Sequence, residues 1–145
     1  MSVVISQLKD VGAQEYRDIQ KLLKQLSASG SGTTLPVLRK FIAKEDVEVW
    51  VLRDGTKIIG MATLLIIQML SGPCADVEDV VVDETYRGQG CGTMLMEKLI
   101  ARARIRKCDS IDLTSRPSRI AAHALYIKLG FVIRDTSVFR LKLNN

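Results

Sequence analysis

Val80-Val81-Val82-Asp83-Glu84-Thr85-Tyr86-Arg87-Gly88-Gln89-Gly90-Cys91-Gly92 reads as a buried strand that runs through a glycine-rich loop into a helix opening near Thr93. Gly88, Gly90 and Gly92 allow positive φ and a close approach of backbone to ligand. The free N–H groups and positive dipole end of the following helix favour an anion. Arg87 adds a fixed positive charge at the loop's entrance. The stretch is therefore a candidate phosphate cradle, and the rest of the chain decides which phosphate.

Upstream, residues 3–8 read as a strand, and residues 13–26 carry Tyr16, Ile19, Leu22, Leu23 and Leu26 at the spacing of an amphipathic helix. After a serine- and glycine-rich loop, Thr34 caps a short helix with Pro36 near its start and Leu38, Phe41 and Ile42 facing inward. Residues 47–53 and 57–70 are apolar, β-branched runs joined through Asp54-Gly55, a strong hairpin signal. Ser71-Gly72-Pro73 turns the chain into a further strand over 75–83, completing an antiparallel meander.

Downstream, the helix over about 92–107 stripes Leu95, Leu99, Ile100 and Ala103 along one side. Arg102, Arg104, Arg106 and Lys107 gather at its C-terminal end and read as a solvated face suited to the dipole. A strand over 110–115 follows this crossover and should lie parallel to the Val80 strand. A helix from Ser118 to about Leu129 ends at Gly130, and residues 131–134 and 137–143 are predicted as two last strands.

The chain has 145 residues, which fits one domain, 1–145, able to bury roughly 68 to 70% of its unfolded surface. Hydrophobic residues are 47% and charged residues 26%, a globular balance, and no apolar run approaches the roughly 18 residues of a membrane span. Ser6, Gln7, Lys9 and Asp10 interrupt any leader-like stretch, so the expected location is the cytoplasm. Cys74, Cys91 and Cys108 are widely spaced, with His123 the one histidine, so no metal site is expected. The net charge of +5 with 5% aromatic residues suits a small polyanionic ligand better than nucleic acid. A homodimer is compatible with the sequence.

Gly92 is followed by Thr93-Met94 rather than Lys-Ser/Thr, which argues against a nucleoside triphosphate loop. The G-x-G-x-G spacing after an antiparallel meander argues against a dinucleotide fingerprint. Arg87-Gly88-Gln89-Gly90-Cys91-Gly92 instead resembles the (Arg/Gln)-x-x-Gly-x-(Gly/Ala) loop of the GNAT superfamily of acyl-coenzyme A-dependent N-acyltransferases. Ala122-His123-Ala124-Leu125-Tyr126-Ile127-Lys128-Leu129-Gly130-Phe131 resembles that family's second motif, in the expected order. The resemblance covers about residues 3–143. It implies a mixed α/β fold with a mostly antiparallel sheet, splayed between the Val80 and Ile111 strands and flanked by about four helices.

The same resemblance implies acetyl-coenzyme A as acyl donor and a primary amine as acceptor, a small molecule such as an aminosugar or alternatively a protein amine. A non-catalytic acyl-coenzyme A sensor is the rival from another class. Amides of Gly88, Gln89, Gly90, Cys91, Gly92 and Thr93 would hold the pyrophosphate, with Arg87 adding charge or pairing with Glu84. Main-chain groups of Val80, Val81 and Val82 would pair with the pantetheine arm. Tyr126 would protonate the leaving thiolate. The Glu78-Asp79-Val80-Val81-Val82 run resembles the acceptor-bordering strand of glucosamine-phosphate acetyltransferases, and Glu78 is the candidate base. Arg119 stands where the family often has Asn and is a candidate phosphate contact. Cys91 is expected to be a small loop residue without a covalent role, and His123 a surface residue. The acceptor should be bounded by residues 27–34, 71–74 and 135–137.

Overall fold

Alternating side chains build a five-stranded sheet in the order β1-β2-β3-β4-β5, formed by β1 (Val3–Gln7), β2 (Val47–Asp54), β3 (Lys57–Met69), β4 (Gly72–Val82) and β5 (Ile111–Asp112). The computed structural model describes residues 2–27 and 32–144, so part of the predicted acceptor-side loop, residues 28–31, lies outside the described residues. The first three pairings are antiparallel and the β4–β5 pairing is parallel. The mixed α/β class and the crossover expected from sequence are both present. The chain forms two compact units, one ending at Thr114 and the other beginning at Ser115.

In the first unit the period of two on β2 assigns its side chains to two layers. Val47, Val49 and Val51 join a core with Ile19 and Leu22 of α1 (Ala13–Leu26) and Leu38 of α2 (Leu35–Ile42). Glu48 and Trp50 turn the other way and meet α3 (Cys91–Ile105). Gly60 on β3 lies beside Leu52 and Leu95, where an added Cβ would come within 3.4 Å of both side chains. The hairpin turn at Gly55 takes φ 61, as the Asp-Gly signal requires.

Thr34 caps α2 by accepting the Val37 N–H at 3.3 Å. Asp18 is buried on α1 and accepts the Ile58 N–H at 3.0 Å, tying the helix to the start of β3. The arginine cluster on α3 differs from the solvated face expected. Arg102 and Arg106 reach across to buried Glu48, while Arg104 stays exposed.

In the second unit, α4 (Ile120–Lys128) ends in a Schellman pattern. Gly130 takes φ 100, its N–H bonds Ile127, and the Phe131 N–H bonds Tyr126 at 3.0 Å. The two strands predicted over 131–134 and 137–143 are not formed. Val132, Ile133, Val138, Phe139, Leu141 and Leu143 are exposed, and local β-propensity without a partnered ladder does not make a strand. Among the described residues no helix is long and apolar enough to cross a membrane.

Candidate active site

The glycine loop leaves β4 through a short 3-10 turn, Glu84–Tyr86. Asp83 caps this turn by accepting the Thr85 N–H at 3.0 Å and its hydroxyl at 2.8 Å. Burial alone would raise the Asp83 pKa, but those bonds and the nearby Lys21 and Lys57 lower it, so it stays a fixed anion that braces the loop. Tyr86 donates to Asp54 at 2.7 Å, fastening the turn to the β2–β3 hairpin.

Gly88 and Gly90 then take φ 76 and 85, left-handed backbone that side chains disfavour. Gly90 is the N-cap of α3, and its carbonyl accepts the Met94 N–H at 3.0 Å. The N–H groups of Cys91, Gly92 and Thr93 therefore lie in the first turn, where helix geometry provides no acceptor. An anion at this point would meet three aligned donors and the positive end of a helix spanning 15 residues.

Among the described residues Arg87 forms no ion pair with Glu84. Its Nε donates to the Val82 carbonyl at 3.0 Å, bracing the end of β4. The Asp83 N–H bonds Ile59 on β3, so by alternation Val81 faces β3 and Val80 and Val82 face the other edge. That edge carries β5 only at Ala75 and Asp76, and residues 77–82 continue without it. The sheet thus parts beside the glycine loop, as the resemblance implied, and β5 does not pair with the main chain of Val80.

A bulge precedes this bare edge. Met61 pairs with Val81 and Thr63 with Glu78, so Asp79 and Val80 together oppose Ala62. Asp79 absorbs the extra residue at φ 53. Strict alternation along β4 would put Glu78 and Asp79 on opposite faces of the strand, and the bulge breaks it. Glu78 lies exposed, and Asp79, although open to solvent on one side, borders a hollow between α1, α2 and the sheet. Burial raises the Glu78 pKa, with Asp79 and Asp76 adding repulsion; burial also raises that of Asp79. Asp76 is raised by burial and then by Asp112.

Cys91 is buried at the start of α3, and burial raises its thiol pKa. Among the described residues no group of three or more His, Cys, Asp or Glu could hold a metal ion.

In the second unit Tyr126 is buried, with its ring edge-to-face against Phe131 at 5.9 Å. Burial raises its pKa while Arg119 pulls it down, so the phenol keeps its proton. Arg119 is the exposed N-cap residue of α4. His123 is half-buried rather than at the surface, and its Nε2 is buried without a partner.

A splayed mixed sheet with a glycine loop between its fourth strand and third helix is the arrangement of the acetyltransferase class. The chain belongs to the Acetyltransferase (GNAT) family, whose signature matches residues 15–131. It is 32% identical over 124 residues to the "Probable glucosamine 6-phosphate N-acetyltransferase" of Drosophila melanogaster, covering 80% of this chain and 55% of that protein. N-alpha-acetyltransferase 30 of Xenopus laevis is 40% identical over 65 residues, covering 45% of this chain and 23% of that protein. The chain thus spans about half, or less, of the length of these relatives. A solved acetyltransferase of Trypanosoma brucei is 25% identical and superposes with a TM-score of 0.80, covering 98% of this chain and 100% of that one.

Proposed function

We propose that the chain transfers an acetyl group from acetyl-coenzyme A to the primary amine of a small molecule, by direct attack within a ternary complex. The observation that carries this reading is the left-handed Gly88 and Gly90 loop opening α3 directly beside the bare edge of β4. Such a loop suits a pyrophosphate, and such an edge suits the amide-bearing arm that follows it in coenzyme A.

In this reading the amides from Gly88 to Thr93 hold the pyrophosphate and Arg119 contributes a phosphate contact. Main-chain groups of Val80 to Val82 hold the arm, and an N–H among them polarises the thioester carbonyl. The Val82 carbonyl is already engaged by Arg87, so Val80 and the Val82 N–H carry this pairing. Glu78 takes the proton that the acceptor ammonium must lose before nitrogen can attack. As the C–S bond breaks, Tyr126 gives its phenolic proton to the leaving thiolate. The raised Glu78 and Tyr126 pKa values suit those two directions.

The Drosophila relative's name supports an aminosugar acceptor and the Xenopus relative's a protein amine. Release of free thiol from acetyl-coenzyme A across an amine panel tests the reading. Initial-rate lines that intersect are expected. Parallel lines with an acetyl group trapped on Cys91 would overturn direct transfer, and tight acetyl-coenzyme A binding without transfer to any amine would leave only a sensor.

A further inference from the structure

The hollow beside Asp79 has a volume of about 390 Å³, within the range of small-molecule sites. Its walls are Ile19 and Leu23 of α1, Leu38 and Phe41 of α2, and Met61 of β3. The polar side chains of the wall are few, Ser27, Thr33, Thr63 and Asp79. The Thr33 carbonyl is already taken by the Tyr16 hydroxyl at 2.7 Å, and Thr63 is buried in the sheet. The one charged wall residue is Asp79, and no lysine, arginine or histidine lines the space among the described residues.

A sugar phosphate fits this wall poorly on two counts. A sugar phosphate brings a dianion that needs cationic partners and faces Asp79 instead. Its hydroxyls would lose water to aliphatic side chains that return no hydrogen bonds. An ammonium on an apolar body fits both ends of the hollow. Asp79 meets the cation, while Glu78 and Asp76 on the same strand add negative potential in a chain whose net charge is +5. The left-handed backbone that turns Asp79 there is strain held at a single non-glycine position of β4, the kind retained at binding sites.

We infer that the acceptor is a small primary amine with an aliphatic or aryl body, whose ammonium pairs with Asp79 and whose body fills the hollow between α1, α2 and β3. This rests on the transferase reading above and narrows its acceptor away from sugar phosphates.

The test compares hexylamine and 2-phenylethylamine with glucosamine 6-phosphate and with a short peptide carrying an N-terminal leucine. Thiol release should show kcat/KM at least about 10-fold higher for the two apolar amines, the scale set by filling an apolar pocket. Asp79→Asn, which an asparagine tolerates at positive φ, should raise the KM for hexylamine about 10-fold or more, with a smaller change in kcat and unchanged acetyl-coenzyme A affinity. Val37→Trp, at an exposed position of α2 that borders the hollow, should impair 2-phenylethylamine more than methylamine. Preference for the sugar phosphate or for the peptide overturns the inference. Calorimetry with hexylamine alone separates the two levels. Binding that Asp79→Asn abolishes upholds the amine site even if no transfer is seen, which would sink the transferase reading instead. Absence of hexylamine binding overturns the inference whatever acetyl-coenzyme A does.

Discussion

Replacing Glu48 with Gln tests whether the clamp between β2 and α3 is a net stabilising element. Glu48 is 2% exposed. Its Oε1 accepts the Trp50 Nε1–H at 3.0 Å and the Arg102 Nε–H at 2.7 Å, and its Oε2 accepts from Arg102 at 3.0 Å and Arg106 at 2.9 Å. Burial alone would raise the pKa, but the bonds from Arg102, Trp50 and Arg106 bring it down to about 2 from 4.5. At 1.36 kcal/mol per pH unit that difference is about 3 kcal/mol of stabilisation. Gln keeps one acceptor but turns an NH₂ donor toward two guanidinium donors. Both arginines are 28% exposed and can partly turn to water, so the net loss should be about 2 kcal/mol.

Because the folded pKa is depressed, this stability is fully present above pH 4.5 and fades as pH falls toward about 2. Urea unfolding at pH 7 should therefore separate wild type from Glu48→Gln by about 2 kcal/mol, or a fall of about 6 °C in Tm. At pH 3.5 the gap should shrink by about 1.4 kcal/mol, roughly two thirds of its size at pH 7. A gap under about 0.5 kcal/mol at pH 7, or one of equal size at both pH values, would refute the reasoning. In that case the desolvation of Glu48 already cancels its hydrogen bonds.

Tyr126→Phe should lower kcat by about 100-fold with acetyl-coenzyme A binding retained, the scale of one lost proton donor; unchanged turnover removes Tyr126 from the chemistry. Glu78→Gln should lower the rate and erase an acidic limb of the kcat/KM profile lying above the ordinary glutamate range. Because burial, Asp79 and Asp76 disfavour charge at Glu78, the same change should leave thermal stability equal or higher, and a large drop in Tm would show a structural role instead. Gly90→Ala meets no atom within 4 Å but is held at φ 85, so it should cost about 1 kcal/mol in stability and weaken acetyl-coenzyme A binding, both read by thermal shift with and without ligand.

Much of the framework is legible in the sequence because it is local. The Asp54-Gly55 turn, the Thr34 cap, the stripe of α1, the glycine loop and the Gly130 stop each depend on neighbours a few residues away. Backbone geometry at Gly88 and Gly90 could be read from residue type alone, and with it the anion cradle. Glu48 carries a signal that was available but ambiguous. A charge inside the apolar run 47–52 marks a buried partner, but the partners lie 54 and 58 residues away on α3.

The bulge at Asp79 shows the limit most clearly. Nothing in Glu78-Asp79-Val80 says that one residue is extra, because a bulge exists only relative to the register of β3. Period-two alternation lets only one of the two carboxylates face the cleft, and the sequence reading favours Glu78; the bulge instead sets Asp79 against the hollow. The last predicted strands fail for a related reason, since residues 131–143 have the composition of strands but no ladder. The sequence by itself determined the order of elements as far as α4, the left-handed glycine loop and the family, all encoded by short-range backbone preference and motif. Tertiary structure alone decided register, which edge of β4 stays bare, and which carboxylate faces an apolar wall, because each is set by contacts between segments far apart in the chain.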